Sequence, residues 1–148
     1  MADFVPDEMY VLLYHDGQVG RFPDFEEIEW VKLDEDYFIG DEPGPRFQYG
    51  RQGQRGVSLP IPTDEAWQKF LARLDEIGVF SWETVKGPDA GKRKDYEPPV
   101  WTLEIHRPGM KAFEREGPID KLPPGFDKFC EALSELMGGQ AFGRERRG

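Results

Sequence analysis

Apolar residues recur every three or four positions in two segments of the chain, the spacing of one face of an α-helix. The first segment lies between Thr63, a residue that suits a helix N-cap, and Gly78, which can take the left-handed position at a helix end. The second follows the run GPIDKLPP and ends at Gly138-Gly139. We therefore predict two amphipathic helices. Their apolar stripes are Trp67, Phe70, Leu71, Leu74 and Ile77 in the first, and Phe126, Phe129, Cys130, Leu133, Leu136 and Met137 in the second.

The N-terminal third alternates as strands do. Residues 9 to 14 and 19 to 22 flank Asp16-Gly17, a pair that tolerates the positive φ of a two-residue turn, so a hairpin is expected there. Residues 29 to 33 alternate around Trp30 and predict a third short strand. Residues 47 to 51 and 56 to 61 predict a further pair joined over a Gly/Gln-rich turn.

Two more extended segments lie between and after these elements. Residues 79 to 85 are expected to form an extended run with Phe80 and Trp82 on one face. Trp101, Leu103 and Ile105 then alternate with polar residues, and Pro108-Gly109 occupies the centre of a turn leading into residues 110 to 115. This pattern predicts a second hairpin.

Strands, helix, strands, helix is the order that results. Strands joined by short turns pair antiparallel, and both helices must hide their apolar stripes, so we predict an α+β two-layer sandwich with two helices on one face of a mostly antiparallel sheet. We expect one domain over residues 1–138, with a possible N-terminal hairpin subregion over 1–62, and a disordered basic tail over 139–148. The predicted core comprises Trp67, Phe70, Trp82, Trp101, Phe126 and Phe129.

The C-terminal half resembles a widespread group of small bacterial proteins of uncharacterised function. The resemblance covers residues 67–137, and nearly all of its motif residues are apolar. It implies the fold and supplies no activity. Members usually carry Asp-Gly shortly before the W-x-L-x-I strand, where this chain has Glu97-Pro98-Pro99-Val100. The matching residues are Trp67, Phe70, Leu74, Gly78, Val79, Phe80, Trp82, the run from Trp101 to Ile105, Gly117, Pro124, Phe126, Phe129, Leu133 and Leu136.

Charge changes the picture more than any other bulk property. The 148 residues have a formal net charge of −10, a sign that opposes nucleic-acid binding and favours a basic partner. The chain has no long apolar run, no basic-then-apolar leader pattern and a single cysteine, so we expect a cytoplasmic protein that does not enter the membrane.

The excess negative charge is local, because residues 24–42 hold nine acids and one base. One interpretation is a solvated face that promotes solubility. The other, which we adopt, is a surface that docks a basic protein, as an immunity or inhibitor protein covers a cationic toxin, with three aromatic anchors among the charges. The predicted partner-binding residues are Glu26, Glu27, Glu29, Trp30, Asp34, Glu35, Asp36, Tyr37 and Phe38.

No catalytic motif is recognisable. His15 and His106 stand alone at predicted hairpin tips, without the three or four ligands at regular spacing that a zinc site needs. Cys130 belongs to a helix stripe and is expected to be a buried, inert thiol. The sequence therefore predicts a protein that is not an enzyme and has no metal and no cofactor.

Two alternatives stay open. A pocket between sheet and helices would make the protein a small-molecule binder or an enzyme. The stretch RFQYGRQGQRG, residues 46–56, mixes aromatics with arginines as some single-stranded RNA binders do. The acidic neighbouring segment would repel RNA, so we expect Arg46, Arg51 and Arg55 to pair with that segment instead.

Overall fold

A computed structural model describes residues 5–18, 24–51, 56–85, 96–97, 99–140 and 142, with the backbone alone described at 15–18, 24, 37–39 and 96–97. It contains seven strands and two α-helices among these residues. In chain order they are β1 (Glu8–Gln18), β2 (Asp24–Ile39), β3 (Glu42–Arg51), β4 (Val57–Ser58), α1 (Asp64–Ile77), β5 (Tyr96–Glu97), β6 (Val100–His106), β7 (Phe113–Pro118) and α2 (Phe126–Leu136).

The sheet runs in the order β4-β3-β2-β1-β6-β7, and β5 pairs with the end of β1. Every pair of neighbouring strands is antiparallel. The predicted α+β class is confirmed. No helix within the described ranges is long and apolar enough to cross a membrane.

One face of the sheet, the inner face, is apolar across five strands. Met9 of β1 pairs with Trp30 of β2 on one side and with Ile105 of β6 on the other, and all three are almost inaccessible to solvent. Trp30 in turn pairs with Phe47 of β3, and Ile105 with Phe113 of β7. Since side chains alternate along a strand, this register places one buried row across the sheet.

Both helices pack on the inner face. The Trp67 ring of α1 lies 5.0 Å from that of Trp30, and the Phe126 ring of α2 lies 6.3 Å from that of Trp101. Trp30 and Trp101 share a face because each pairs with an inward residue of β1. The predicted core is confirmed. Its members are Trp67, Phe70, Trp82, Trp101, Phe126 and Phe129, all buried.

Helix α1 begins and ends where its capping residues predict. The Thr63 hydroxyl accepts a hydrogen bond from the amide of Ala66 at 3.1 Å, which satisfies one of the free N–H groups of the first turn. Gly78 has φ 91°, a left-handed conformation that disfavours other residues.

The predicted turn at Asp16-Gly17 is wrong. Strand β1 continues through both residues to Gln18, pairing with Asp24 at residue 16 and with Glu97 at residue 17. Long-range pairing thus overrides a local turn preference. Residues 19–22, expected as the second strand of that hairpin, lie outside the described part of the chain.

The predicted third strand, the pair that follows it and the second hairpin are present in the structure. Strand β2 covers 16 residues, where a five-residue strand at 29–33 was expected. The pairing of the strands predicted at 47–51 and 56–61 is confirmed as β3 and β4, although β4 covers two residues, Val57–Ser58. The second hairpin is confirmed as β6 and β7, with its second strand at Phe113–Pro118 instead of 110–115.

The segment from Val79 is not the predicted strand. Residues Val79–Ser81 form a short 3₁₀ turn, which buries Val79 and, three residues on, Trp82. Phe80, expected to share a face with Trp82, is instead partly exposed and packs edge-on against Phe113. Burial of the residues at i and i+3 follows the three-residue period of this helix.

The tail that the sequence predicts to be disordered is packed into the core at Phe142. Its side chain is 1% exposed and its ring lies 6.5 Å from that of Tyr49. Residues 141 and 143–148 of the predicted tail lie outside the described ranges.

Candidate functional site

The opposite side of the sheet, the outer face, carries the side chains that alternate with the core. Because both helices pack on the inner face, no helix within the described residues covers the outer face. The register assigns its members. They are Glu8, Tyr10, Leu12 and Tyr14 of β1, Phe25, Glu27, Glu29 and Val31 of β2, Arg46, Gln48 and Gly50 of β3, Ser58 of β4, Val100, Thr102, Glu104 and His106 of β6, and Glu114, Glu116 and Pro118 of β7.

The outer face is strongly acidic. It holds six glutamates, and its basic side chains among the described residues are Arg46 and His106. Glu8, Glu114 and Glu116 are exposed, and their carboxylates have no hydrogen-bonding or ion-pair partner in the described chain. Since these charges are not offset there, the face keeps a negative potential towards solvent.

Tyr10 stands at the centre of this face, opposite Glu29 on one side and Glu104 on the other. Its hydroxyl donates a hydrogen bond to Oε2 of Glu27 at 2.8 Å. Burial raises the pKa of Tyr10 above its ordinary value, and the hydrogen bond and the charges of the surrounding glutamates act in the same direction. Tyr10 therefore stays a protonated hydrogen-bond donor and does not serve as a base.

At the β3 side of the face, Arg46 neutralises two of the acids expected to contact a partner. Its guanidinium contacts Oε1 of Glu29 at 2.5 Å and Oδ2 of Asp34 at 2.7 Å. The hydrogen bond from Arg46, followed by one from the Asp36 amide, lowers the pKa of Asp34. The predicted pairing of Arg46 with the acidic segment is confirmed. Arg55 lies outside the described residues.

The Arg46 interaction has a defined pH dependence. A carboxyl group whose pKa is lower in the folded protein adds stability above its ordinary pKa, and this stability is lost as the pH falls through the lowered value. Asp34 is partly exposed to solvent, which screens the interaction, so the effect on global stability is small.

Two predicted partner-binding residues lie in the core, which corrects the prediction. Trp30 is 2% exposed, and its indole N–H donates to the carbonyl of Pro6 at 2.8 Å. Glu26 is 5% exposed and accepts a hydrogen bond from the Tyr49 hydroxyl at 2.8 Å. Both belong to the inward positions of β2 and face the helices, so neither is available to a partner.

The other predicted residues divide between the two halves of β2. Glu27 and Glu29 lie on the outer face, and Asp34 shares the Arg46 guanidinium with Glu29. Glu35 and Asp36 are exposed beyond the regular pairing. The side chains of Tyr37 and Phe38, expected as anchors, lie outside the described residues.

Sequence reasoning missed the acids that strands far apart in the chain bring to the same face. Glu8 comes from β1, Glu104 from β6, and Glu114 and Glu116 from β7. The signal was the strand alternation itself. Once Leu103 and Ile105 are assigned inward, Glu104 between them must point outward.

The histidines and the cysteine fall in different places. Cys130 is buried, as predicted. His106 ends β6 on the outer face, with Nε2 3.6 Å from Oε1 of Glu104, and Glu114 lies beside them. This is the group of described residues that could hold a metal ion. The side chain of His15 lies outside the described residues.

Two concave regions occur elsewhere. A cavity of about 520 Å³ lies at one end of the sheet, between Trp30 and Lys32 of β2 and Asp64 and Trp67 of α1. A smaller groove of about 170 Å³ runs between α1 and α2. The first has the size of a small-molecule site.

The structure does not favour single-stranded RNA binding by residues 46–56, because the aromatic rings of this stretch are not exposed. Phe47 and Tyr49, the aromatics of the stretch at 46–56, are 2% and 4% exposed and face the helices. Bases cannot stack on rings that are buried in a core.

No protein-family model, no curated protein and no solved structure matches the chain. The resemblance to small bacterial proteins over residues 67–137 therefore stays a prediction. The geometry and charge of the outer face are what bear on function.

Proposed function

We propose that this protein is a non-enzymatic acidic interaction module that docks a basic partner protein on the outer face of its sheet. The observation that carries this proposal is the set of three exposed carboxylates on that face, from Glu8, Glu114 and Glu116, which are unpaired within the described chain. The sequence pattern alone indicates the acidic segment 24–42 as the docking surface. The proposed surface keeps its Glu27 and Glu29 and adds acids from β1, β6 and β7.

Between the acids, the outer face presents the partly exposed apolar side chains of Leu12, Val31 and Val100, together with Tyr10. Protein interfaces combine an apolar, aromatic-rich centre with a polar rim. Unpaired charges at the rim accelerate the encounter with a partner of opposite sign and make its rate depend on salt. These properties suit reversible docking in the cytoplasm, the compartment we propose for the protein.

A test compares two triple variants of equal charge. E8Q/E114Q/E116Q removes the three exposed, unpaired charges of the outer face, whereas E65Q/E76Q/E131Q removes three exposed acids from the helices. Each variant is three units less negative than the wild type. The measurement is the association rate constant with a basic partner captured from the source lysate, at low and at high salt.

We expect the outer-face variant to associate roughly tenfold more slowly at low salt, with the difference disappearing at high salt. The helix variant should stay close to the wild type. Equal losses in both variants would mean that only net charge matters, and would contradict a docking face.

The cavity of about 520 Å³ beside Trp67 supports a second candidate, a small-molecule binder. A bound ligand would raise the melting temperature of the protein in proportion to its affinity. A screen of small molecules by thermal shift distinguishes the candidates, because a true pocket ligand stabilises the outer-face variant and the wild type equally.

A further inference from the structure

Pairing of β6 with β7 brings together three potential metal ligands that are separated in sequence. Glu104 and Glu114 are direct cross-strand partners, and His106 follows Glu104 by two residues on the same strand. All three side chains therefore project from the outer face. Glu8, the cross-strand partner of His106 on β1, lies next to them.

The distances between these groups are close to those around a bound ion. The ligand atoms of Glu104, His106 and Glu114 all lie within 4.8 Å of one another. Ligands about 2.0 to 2.2 Å from a tetrahedral zinc ion are separated by roughly 3.3 to 3.6 Å. His106 and Glu104 are already at 3.6 Å. Because all three side chains are at least partly exposed, small rotations would complete the approach.

The charge of the group also favours a cation. Carboxylates directly opposite each other on neighbouring strands repel. No lysine or arginine of the described chain forms an ion pair with Glu104 or Glu114. A divalent ion between them would remove this repulsion.

From this geometry we propose that Glu104, His106 and Glu114 bind a divalent transition-metal ion such as Zn²⁺. One imidazole and two carboxylates form a mixed nitrogen and oxygen donor set, which zinc accepts, whereas magnesium and calcium prefer oxygen alone. Three protein ligands leave a coordination position open to water or to a carboxylate such as that of Glu8.

The test is isothermal titration calorimetry with zinc sulfate alone, without any partner protein. The chain contains two histidines, so H15N is a matched control for H106N. E116Q is likewise matched to E114Q, since both glutamates belong to β7 and are exposed. We expect one zinc ion per chain, with affinity reduced roughly tenfold or more in H106N and E114Q. H15N and E116Q should bind as the wild type does.

Unchanged zinc affinity in H106N, or a loss in H15N of the same size, would overturn the assignment. Magnesium chloride binding as tightly as zinc sulfate would also contradict it, because it would make the imidazole irrelevant. Circular dichroism of each variant checks that the fold persists. This result is independent of docking, because the titration contains no partner.

Discussion

At the scale of the residue, Gly117 is the position where the β7 backbone approaches the Trp101 ring most closely. A Cβ added there would lie 2.9 Å from Trp101 Nε1, closer than real contacts allow. The ring is 1% exposed, and side chains in a protein core are closely packed. In the sequence, Gly117 stands out only as part of a motif resemblance. The cross-strand register supplies its physical reason.

We predict that G117A lowers the free energy of unfolding by about 1–3 kcal/mol, the usual cost of overpacking. G50A is the control, because a Cβ at Gly50 would meet Glu27 at 3.7 Å, an ordinary contact. Urea denaturation measures both. A G117A protein as stable as G50A would show that the Trp101 ring is not held in place.

Tyr49 and Tyr10 provide a second comparison, because each donates a hydrogen bond to a glutamate, one buried and one partly exposed. Y49F should cost about 1–3 kcal/mol, since a buried carboxylate loses a donor that water cannot replace. Y10F should cost less than about 1 kcal/mol, because water can reach Glu27. Equal losses in urea denaturation would contradict the burial of Glu26.

At the scale of the element, the helices can be predicted well from the sequence and the strands less so. The spacing from Trp67 to Ile77 and the capping residues at both ends are enough to define α1. For the segment that contains β2, the nine acids in 24–42 indicate an exposed surface. In the structure, Ile28 and Trp30 point inward and alternate with the outward Glu27 and Glu29. Because Glu26 is a charged residue at an inward position, apolar and polar residues do not alternate regularly there. The full length of the strand therefore cannot be predicted from the sequence.

The cap of α1 gives a prediction at this scale. T63A should lower the free energy of unfolding by about 1 kcal/mol, because the Ala66 amide loses its acceptor. T63S keeps the hydroxyl and should retain most of the stability. If T63A and T63S unfold at the same urea concentration, the hydrogen bond of Thr63 does not stabilise the helix.

At the scale of the whole molecule, the sequence predicts a sheet with two helices but not which acids share a face. That depends on the order β3-β2-β1-β6-β7, and therefore on pairings between strands far apart in the chain. Only through this order do Glu8 of β1 and Glu114 of β7 share one surface, on either side of β6. The outer face, with its charges and its centre at Tyr10, is a property of the assembled sheet.

The most direct test of that surface is nuclear magnetic resonance of the ¹⁵N-labelled protein titrated with a Lys- and Arg-rich peptide, a stand-in for a basic partner. Exposed acids also occur on the helices, at Glu65, Glu76 and Glu131. The peptide could therefore bind either the outer face or the helices. We predict that amide shifts concentrate in β1, β6 and β7 and disappear in E8Q/E114Q/E116Q. Shifts concentrated in α1 and α2 would contradict the account.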